Sequence, residues 1–235
     1  MSDIVLSLKK IKKSYKKQEV LKGIDMHFEE GRIYGLIGPN GVGKTTLIRI
    51  ISGLSHADSG DIIYYENGKE VVTSSLHENI GCIIERPYFD ESLNAMDNMR
   101  LMGFLKGVED KSVLRKYLDI VGLEDDKKRV KNYSLGMKQR LGIAQLLIGN
   151  PRIMFLDEPM NGLDPQGIIQ LRNLLMDMVI NKKITIVLTS HILSELQKVC
   201  DAYYFINNGQ IVKFIDVLED GEQVDLEEAY VKYIT

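Results

Sequence analysis

A nine-residue stretch rich in glycine constrains this chain more than any other part of its sequence. It fits the pattern G-x-x-x-x-G-K-[ST], in which glycines allow a tight turn and a close approach of the backbone to a ligand. Successive backbone N–H groups of such a turn form a nest for an anion. The stretch consists of Gly38, Pro39, Asn40, Gly41, Val42, Gly43, Lys44, Thr45 and Thr46. It predicts a loop that binds phosphate.

The segments on either side of this loop support nucleotide binding. Residues 32–37 have the composition of a buried strand, and residues 44–52 carry apolar side chains at helical spacing. A helix that begins at the loop adds unpaired N–H donors and the positive end of its dipole. We expect Lys44 to neutralise the β- and γ-phosphates and the Thr45 hydroxyl to bind Mg²⁺. The alternative, an ordinary glycine-rich turn, leaves the full pattern and both flanks unexplained.

Two acidic residues, Asp157 and Glu158, follow the apolar segment 153–156. Ligands of parallel sheets bind at the carboxyl ends of the strands, so these carboxylates are predicted beside the nucleotide. Asp157 would hold Mg²⁺, and Glu158 would polarise the water that attacks the γ-phosphate. His191 follows another apolar segment, residues 184–189, and would emerge at the same edge. The alternatives are an exposed Asp-Glu turn and a structural histidine.

A third feature is the stretch Tyr-Ser-Leu-Gly-Met-Lys-Gln-Arg at residues 133–140. Ser134 is a favourable N-cap for the helix that follows, and Gly136 in the first turn would leave backbone N–H groups uncovered. This arrangement predicts a second helix N-terminus suited to phosphate. One mononucleotide does not need two such ends, so the second would serve a nucleotide held by another copy. An ordinary capped helix explains this stretch equally well on its own.

Composition and length are those of an ordinary globular domain. Of the 235 residues, 44% are hydrophobic and 27% are charged, and no apolar run approaches the ~18 residues needed to cross a bilayer. We expect no signal peptide at the start of the chain. The net charge of −3 gives no general attraction to nucleic acid, so we expect no nucleic-acid partner.

The order of strand and helix patterns predicts an α/β fold with a mainly parallel core sheet and an N-terminal antiparallel β layer. Lysines at the outward positions of residues 4–13 favour an exposed edge strand. The segment 192–200 is predicted to be helical.

The sequence of residues 87–133 has no strand-like pattern and predicts an inserted helical subdomain. Helical spacing places Met99, Met102 and Leu105 on one face. That face would be either core or a docking surface, because methionine-rich faces also adapt to partners.

Together the three motifs resemble, in order and spacing, the ATPase subunits of ABC transporters over residues 1–215. The resemblance implies a P-loop NTPase fold in one domain, 1–235. Its nucleotide-binding core would comprise 1–86 and 134–235, and its helical subdomain, 87–133, would contact a separate membrane permease. The resemblance also implies ATP and Mg²⁺ as cofactors, ATP hydrolysis, and a location at the cytoplasmic face of the cell membrane.

The same resemblance implies a face-to-face dimer with a second copy or a related ATPase subunit. Ser134, Gly136 and Gln139 match the signature stretch that binds the γ-phosphate of ATP held by the opposing subunit. Asp164 matches the acid of the loop that crosses the dimer seam.

Within one subunit, Tyr15 matches the aromatic side chain that stacks on adenine. His191 matches a histidine that contacts the γ-phosphate and Glu158. One residue departs from the usual pattern, because Glu85 stands where the family usually has a glutamine that contacts Mg²⁺ and the attacking water. A carboxylate there should tighten cation binding. With the signature stretch, Glu85 resembles the bacitracin and lantibiotic resistance type of exporter, which predicts export of an antimicrobial peptide or antibiotic.

Two other functions are open to a chain with these motifs. One is a non-transport ABC-type ATPase that acts on the ribosome or on DNA. Such proteins usually carry two ATPase units or a long coiled-coil insertion, and the sequence shows neither. The other is a regulatory module that binds ATP without turnover, against which the pair Glu158 and His191 argues.

Overall fold

The computed structural model describes residues 4–71, 79–124, 127–220 and 224–235. Within them the chain forms a four-stranded sheet, a six-stranded sheet and eight α-helices. The strands are β1 (Ile4–Tyr15), β2 (Gln18–Glu29), β3 (Ile33–Ile37), β4 (Ser59–Glu66), β5 (Lys69–Val71), β6 (Ile80–Ile83), β7 (Ile153–Leu156), β8 (Thr185–Thr189), β9 (Ala202–Asn207) and β10 (Gln210–Asp216). The helices are α1 (Lys44–Ile51), α2 (Ala95–Lys106), α3 (Lys111–Ile120), α4 (Leu135–Ile148), α5 (Pro165–Lys182), α6 (Leu193–Leu196), α7 (Val217–Asp220) and α8 (Leu226–Ile234).

The six-stranded sheet has the order β10-β9-β3-β8-β7-β6, in which only β10 runs antiparallel to its neighbour. Every residue of β3, β7 and β8 is buried. Continuous burial is typical of parallel strands that are covered on both faces. The predicted mainly parallel core sheet is therefore confirmed, and the carboxyl ends of β3, β8 and β7 lie side by side.

The antiparallel layer is also confirmed, with the strand order β2-β1-β4-β5. The prediction that β1 is an edge strand is wrong, because β1 pairs with β2 on one side and with β4 on the other. Lys9, Lys10 and Lys12 are exposed although β1 is an interior strand. The reason is that a strand in a sheet covered on one face still presents part of its side chains to solvent.

Successive residues of the parallel strands face two different cores. Ile153 and Phe155 of β7 pack with the antiparallel sheet and α1, whereas Met154 and Leu156 pack on the side of α4 and α5. The ring of Phe28 on β2 lies edge-on to that of Phe155, with 5.7 Å between centroids. The antiparallel layer thereby holds α1, and the loop that precedes it, against the parallel sheet.

The segment 87–133 contains α2 and α3, which pack on α4 in a core continuous with that of the parallel sheet. Met99 of α2 is buried in this core, as are Leu114 and Leu118 of α3. Leu105 does not share the face of Met99 as predicted, since it is 76% exposed. The part of α2 near its end turns toward solvent.

The helix predicted over 192–200 is shorter in the structure, where α6 spans Leu193–Leu196. The N–H groups of Lys198 and Val199 bond to carbonyl groups three residues back, so the chain continues as tight turns. None of the helices formed by the described residues is long and apolar enough to span a bilayer.

Gly142 and Gly136 lie on the same helix, α4, but in different surroundings. A Cβ atom at Gly142 would lie 2.6 Å from the Cβ of Pro87, whereas at Gly136 the nearest atoms are 3.8 Å away. We expect Gly142→Ala to lower the free energy of unfolding by ~1–3 kcal/mol through overpacking. Gly136→Ala should leave it unchanged or raise it by up to about 1 kcal/mol, because alanine favours helix. Urea denaturation measures both, and equal losses would contradict this packing.

Candidate functional site

The predicted phosphate loop joins the carboxyl end of β3 to the first residue of α1. Gly43, which precedes α1, has a φ of 115°, a left-handed conformation that favours glycine. Gly38 packs so closely on β9 that a Cβ atom there would lie 2.3 Å from the carbonyl oxygen of Ile206. No side chain of the described residues caps α1. Its first N–H groups are therefore available to an anion.

Lys44 is held inside the loop that precedes it. The residue is 7% exposed, and its Nζ atom donates to the carbonyl oxygens of Gly38 at 2.6 Å and Pro39 at 3.0 Å. Burial lowers the pKa of Lys44, while the charges of Glu158 and Asp157 act in the opposite direction. The ammonium group thus stands among the loop's own acceptors, where an incoming phosphate can compete for it.

A set of hydrogen bonds joins the phosphate loop to the second motif. The Thr45 hydroxyl donates to Oδ2 of Asp157 at 2.8 Å, and the Thr189 hydroxyl donates to Oδ1 at 2.6 Å. The same Thr189 oxygen accepts the backbone N–H of Glu158 at 2.8 Å. Three elements, α1, β7 and β8, therefore meet at one buried carboxylate, which is 4% exposed.

Thr45 and Asp157 fit Mg²⁺, whose preferred ligands are oxygens. Asp157 makes no ion pair with any side chain in the described part of the chain, although it is buried, so a cation would balance its charge. No group of three or more acidic, histidine or cysteine side chains that could by itself hold a metal ion is found among those residues. A Mg²⁺ ion that takes its remaining ligands from phosphate and water needs no such cluster.

Glu158 and His191 contact each other as predicted. The Nε2 atom of His191 lies 2.5 Å from Oε1 of Glu158, and the His191 side chain is 47% exposed. Glu158 has a φ of 53°, which is unusual for a residue other than glycine and is typical of residues at functional sites. Both side chains follow adjacent parallel strands, β7 and β8, so the sheet edge brings them together.

A cleft of about 940 Å³ opens above these residues. Its lining comprises Asn40, Gly41, Gly43, Lys44, Thr45, Thr46, Ile84, Glu85, Arg86, Pro87, Tyr88, Phe89, Glu91, Leu135, Lys138, Gln139, Asp157, Glu158, Asn161 and Gly162. The phosphate loop and the two acids thus share one space with Glu85. The Glu85 side chain is 74% exposed, and its Oε1 atom lies 3.5 Å from Nη2 of Arg49 on α1.

Outside the phosphate loop, four residues predicted to bind nucleotide lie apart from the lining that the described residues give this cleft. Ser134 caps α4 by accepting the N–H of Met137 at 3.2 Å. Asp164 caps α5 in the same way. Gly136 lies in the first turn of α4, and Tyr15 ends β1 and is 47% exposed.

Gln139, which was predicted with this group, is placed differently. It is 3% exposed and lines the cleft of its own chain. Its Oε1 atom is buried and has no hydrogen-bond partner within the described chain.

Thr189 and Arg49 belong to the site and were not predicted. The signal for Thr189 was present, since it is the last residue of the strand next to β7 and therefore lies at the same edge as Asp157. The contact of Arg49 with Glu85 joins residues 36 positions apart in the chain, which no local pattern encodes.

Comparison with known proteins identifies the family of this chain. The ABC transporter family matches residues 21–161. The lantibiotic transport ATP-binding protein SrtF of Streptococcus pyogenes is 42% identical over 227 residues, 96% of each chain. The bacitracin transport ATP-binding protein BcrA of Enterococcus faecalis is 36% identical over 92% of this chain and 71% of its own. A solved ATP-binding subunit of an ABC transporter, 27% identical, superposes with a TM-score of 0.82 over 97% of this chain and 99% of its own.

The Thr189 hydroxyl offers a direct test of this site. Thr189→Val keeps the side-chain shape but leaves the Glu158 N–H and one Asp157 oxygen without their partner. We expect it to lower the free energy of unfolding by ~1–3 kcal/mol and to reduce ATP turnover, whereas Thr189→Ser should retain both. Denaturation and phosphate-release assays measure these effects. Full stability and turnover in Thr189→Val would show that the site does not depend on this hydroxyl.

Proposed function

Because this chain belongs to the ABC transporter family and is an ATP-binding subunit that hydrolyses ATP, we propose that it drives a separate membrane permease that exports an antimicrobial peptide. The observation that carries the proposal is the meeting of the phosphate loop, Asp157, Glu158 and His191 at one edge of the parallel sheet. The names of the relatives SrtF and BcrA, which refer to lantibiotic and bacitracin transport, support the class of substrate.

Each residue at the sheet edge has a role in this proposal. The loop N–H groups and Lys44 bind the phosphates, and Thr45 and Asp157 hold Mg²⁺, which neutralises phosphate charge when it is bound. Glu158 accepts a proton from the attacking water, while His191 orients its carboxylate through their contact. Glu85 faces the same cleft and adds a further carboxylate for the metal and the water.

A second copy would complete the site. Ser134 and Gly136, at the N-terminus of α4, are not among the described residues that line the cleft of their own chain, whereas Leu135 between them is. Nothing within the described chain requires glycine at position 136, because a Cβ atom there would meet only ordinary contacts. Open space, and the first-turn N–H groups that Ser134 does not cap, suit the γ-phosphate of ATP bound to the other copy. Asp164, at the start of α5, would lie at the same seam.

The end of α2 is the surface proposed for the permease. Leu101, Phe104 and Leu105 are 53%, 73% and 76% exposed and form an apolar patch, and Tyr88 beside the cleft is 94% exposed. Contiguous apolar side chains at a surface mark interaction sites. Docking on a permease would place this chain at the cytoplasmic face of the membrane.

The dimer is tested by blocking the chemistry without blocking binding. With ATP and Mg²⁺, and with the permease present if needed, we expect Glu158→Gln to form a stable dimer and to release less than about 1% of the wild-type phosphate. Adding Gly136→Asp should abolish that dimer, because a carboxylate would stand where the γ-phosphate of the other copy binds. Sedimentation or light scattering measures the mass. If Glu158→Gln stays a monomer at saturating ATP, the proposed face-to-face dimer with ATP between the two copies is wrong.

The permease contact is tested on the apolar patch. We expect Leu101→Ser, Phe104→Ser and Leu105→Ser together to reduce co-purification of a multispanning membrane protein about tenfold or more, since buried anchors dominate interfaces. Turnover by the isolated chain should not change. Ile180→Ser on α5, where the side chain is 63% exposed, is the matched control. Unchanged capture by the triple variant would place the partner elsewhere.

A further inference from the structure

The end of β1 is tied to the loop that follows α1 by a single carboxylate, Asp58. Its Oδ1 atom accepts from Nζ of Lys13 at 2.9 Å, and its Oδ2 atom accepts the backbone N–H of Ser14 at 2.6 Å. The backbone N–H of Asp58 donates to the carbonyl oxygen of Lys12 at 2.8 Å. Three consecutive residues of β1 are thus fixed immediately before Tyr15.

Lys13 also contacts Tyr15 directly. Its Nζ atom stands over the Tyr15 ring, 5.5 Å from the centroid, within the range of a cation–π interaction. The Lys13 side chain is 14% exposed, so the ammonium group is held between Asp58 and the ring. Tyr15 itself is 47% exposed. One face of the ring is therefore covered, and the open part remains for a ligand.

We propose that Lys13 and Asp58 are positioning residues that hold the Tyr15 ring as a fixed, one-sided platform for the purine base of ATP. The inference rests on the proposed function, in which Tyr15 stacks on the base. A surface tyrosine that rotates freely must lose that freedom when a base binds. Contacts with Lys13 before binding reduce the loss, and because Asp58 fixes Lys13, the base finds the ring already oriented.

The phosphate-loop helix contributes to this arrangement through chain connectivity. Asp58 lies at the end of the segment that joins α1 to β4, so the same segment connects the helix at the phosphates to the residue that holds Lys13. The Lys13–Asp58 ion pair by itself adds little to folding, because Asp58 is 45% exposed and exposed ion pairs contribute little to stability.

The test compares a ligand that has a base with one that lacks it. Binding of AMP-PNP and of inorganic tripolyphosphate, each with Mg²⁺, is measured calorimetrically for wild type, Lys13→Met, Asp58→Asn and Tyr15→Leu. Lys17→Met, an exposed lysine two residues beyond Tyr15, is the control for lost positive charge. Thermal unfolding confirms that each variant is folded, and Asp58→Asn provides a second variant should Lys13→Met fail to fold.

We expect Lys13→Met and Asp58→Asn to weaken AMP-PNP binding about threefold to fivefold and to leave tripolyphosphate binding unchanged. In a Tyr15→Leu background the Lys13→Met effect on AMP-PNP should vanish. Lys17→Met should leave the ratio of the AMP-PNP and tripolyphosphate affinities unchanged. The positioning role of Lys13 would be overturned if Lys13→Met weakened the binding of both ligands equally, or if it still weakened AMP-PNP binding in the Tyr15→Leu background. Either result would leave Tyr15 as the platform. If Tyr15→Leu binds AMP-PNP as well as the wild type does, Tyr15 is not the platform for the base.

Discussion

The hydrogen bonds at Asp157 are the interaction on which the rest of the site depends. One oxygen accepts from Thr45 at the start of α1, and the other accepts from Thr189 at the end of β8. Such convergence requires the strand order β3-β8-β7 with all three strands parallel, because only then do their carboxyl ends meet. The rest of the fold supports this edge, since the antiparallel sheet and α1 share a hydrophobic core with one face of the parallel sheet.

We propose that a single chain holds most of the hydrolytic site and that a second copy completes it. The phosphate loop, the proposed metal-binding residues and the Glu158–His191 pair line or border one cleft, while Ser134 and Gly136 lie at a helix N-terminus and are not among the described residues that line it. In this proposal, ATP binding drives the movement by joining the phosphate loop of one copy to the N-terminus of α4 of the other. Hydrolysis then separates the two copies.

The sequence predicted the features that depend on neighbouring residues or on parallel strand ends. The phosphate loop is a local pattern, and Glu158 and His191 meet because their strands are adjacent. Features that depend on distant packing were missed. Pairing of β1 on both edges is not visible from its lysines, and the burial of Gln139 depends on how α4 packs beside the segment after β6. The face of Leu105 was predicted wrongly, because helical spacing shows which residues share a helix face but not which other elements cover that face.

Whether the N-terminus of α4 contacts ATP held by the other copy is measured most directly with an ATP analogue that carries a photoreactive group on its γ-phosphate. Copies with Lys44→Ala, which should not hold nucleotide themselves, are mixed with copies that retain Lys44 and carry Glu158→Gln, together with the permease if assembly needs it. We expect light to attach the label to residues 134–139 of the Lys44→Ala copies, and only in the mixture. Label confined to the copies that retain Lys44 would contradict it.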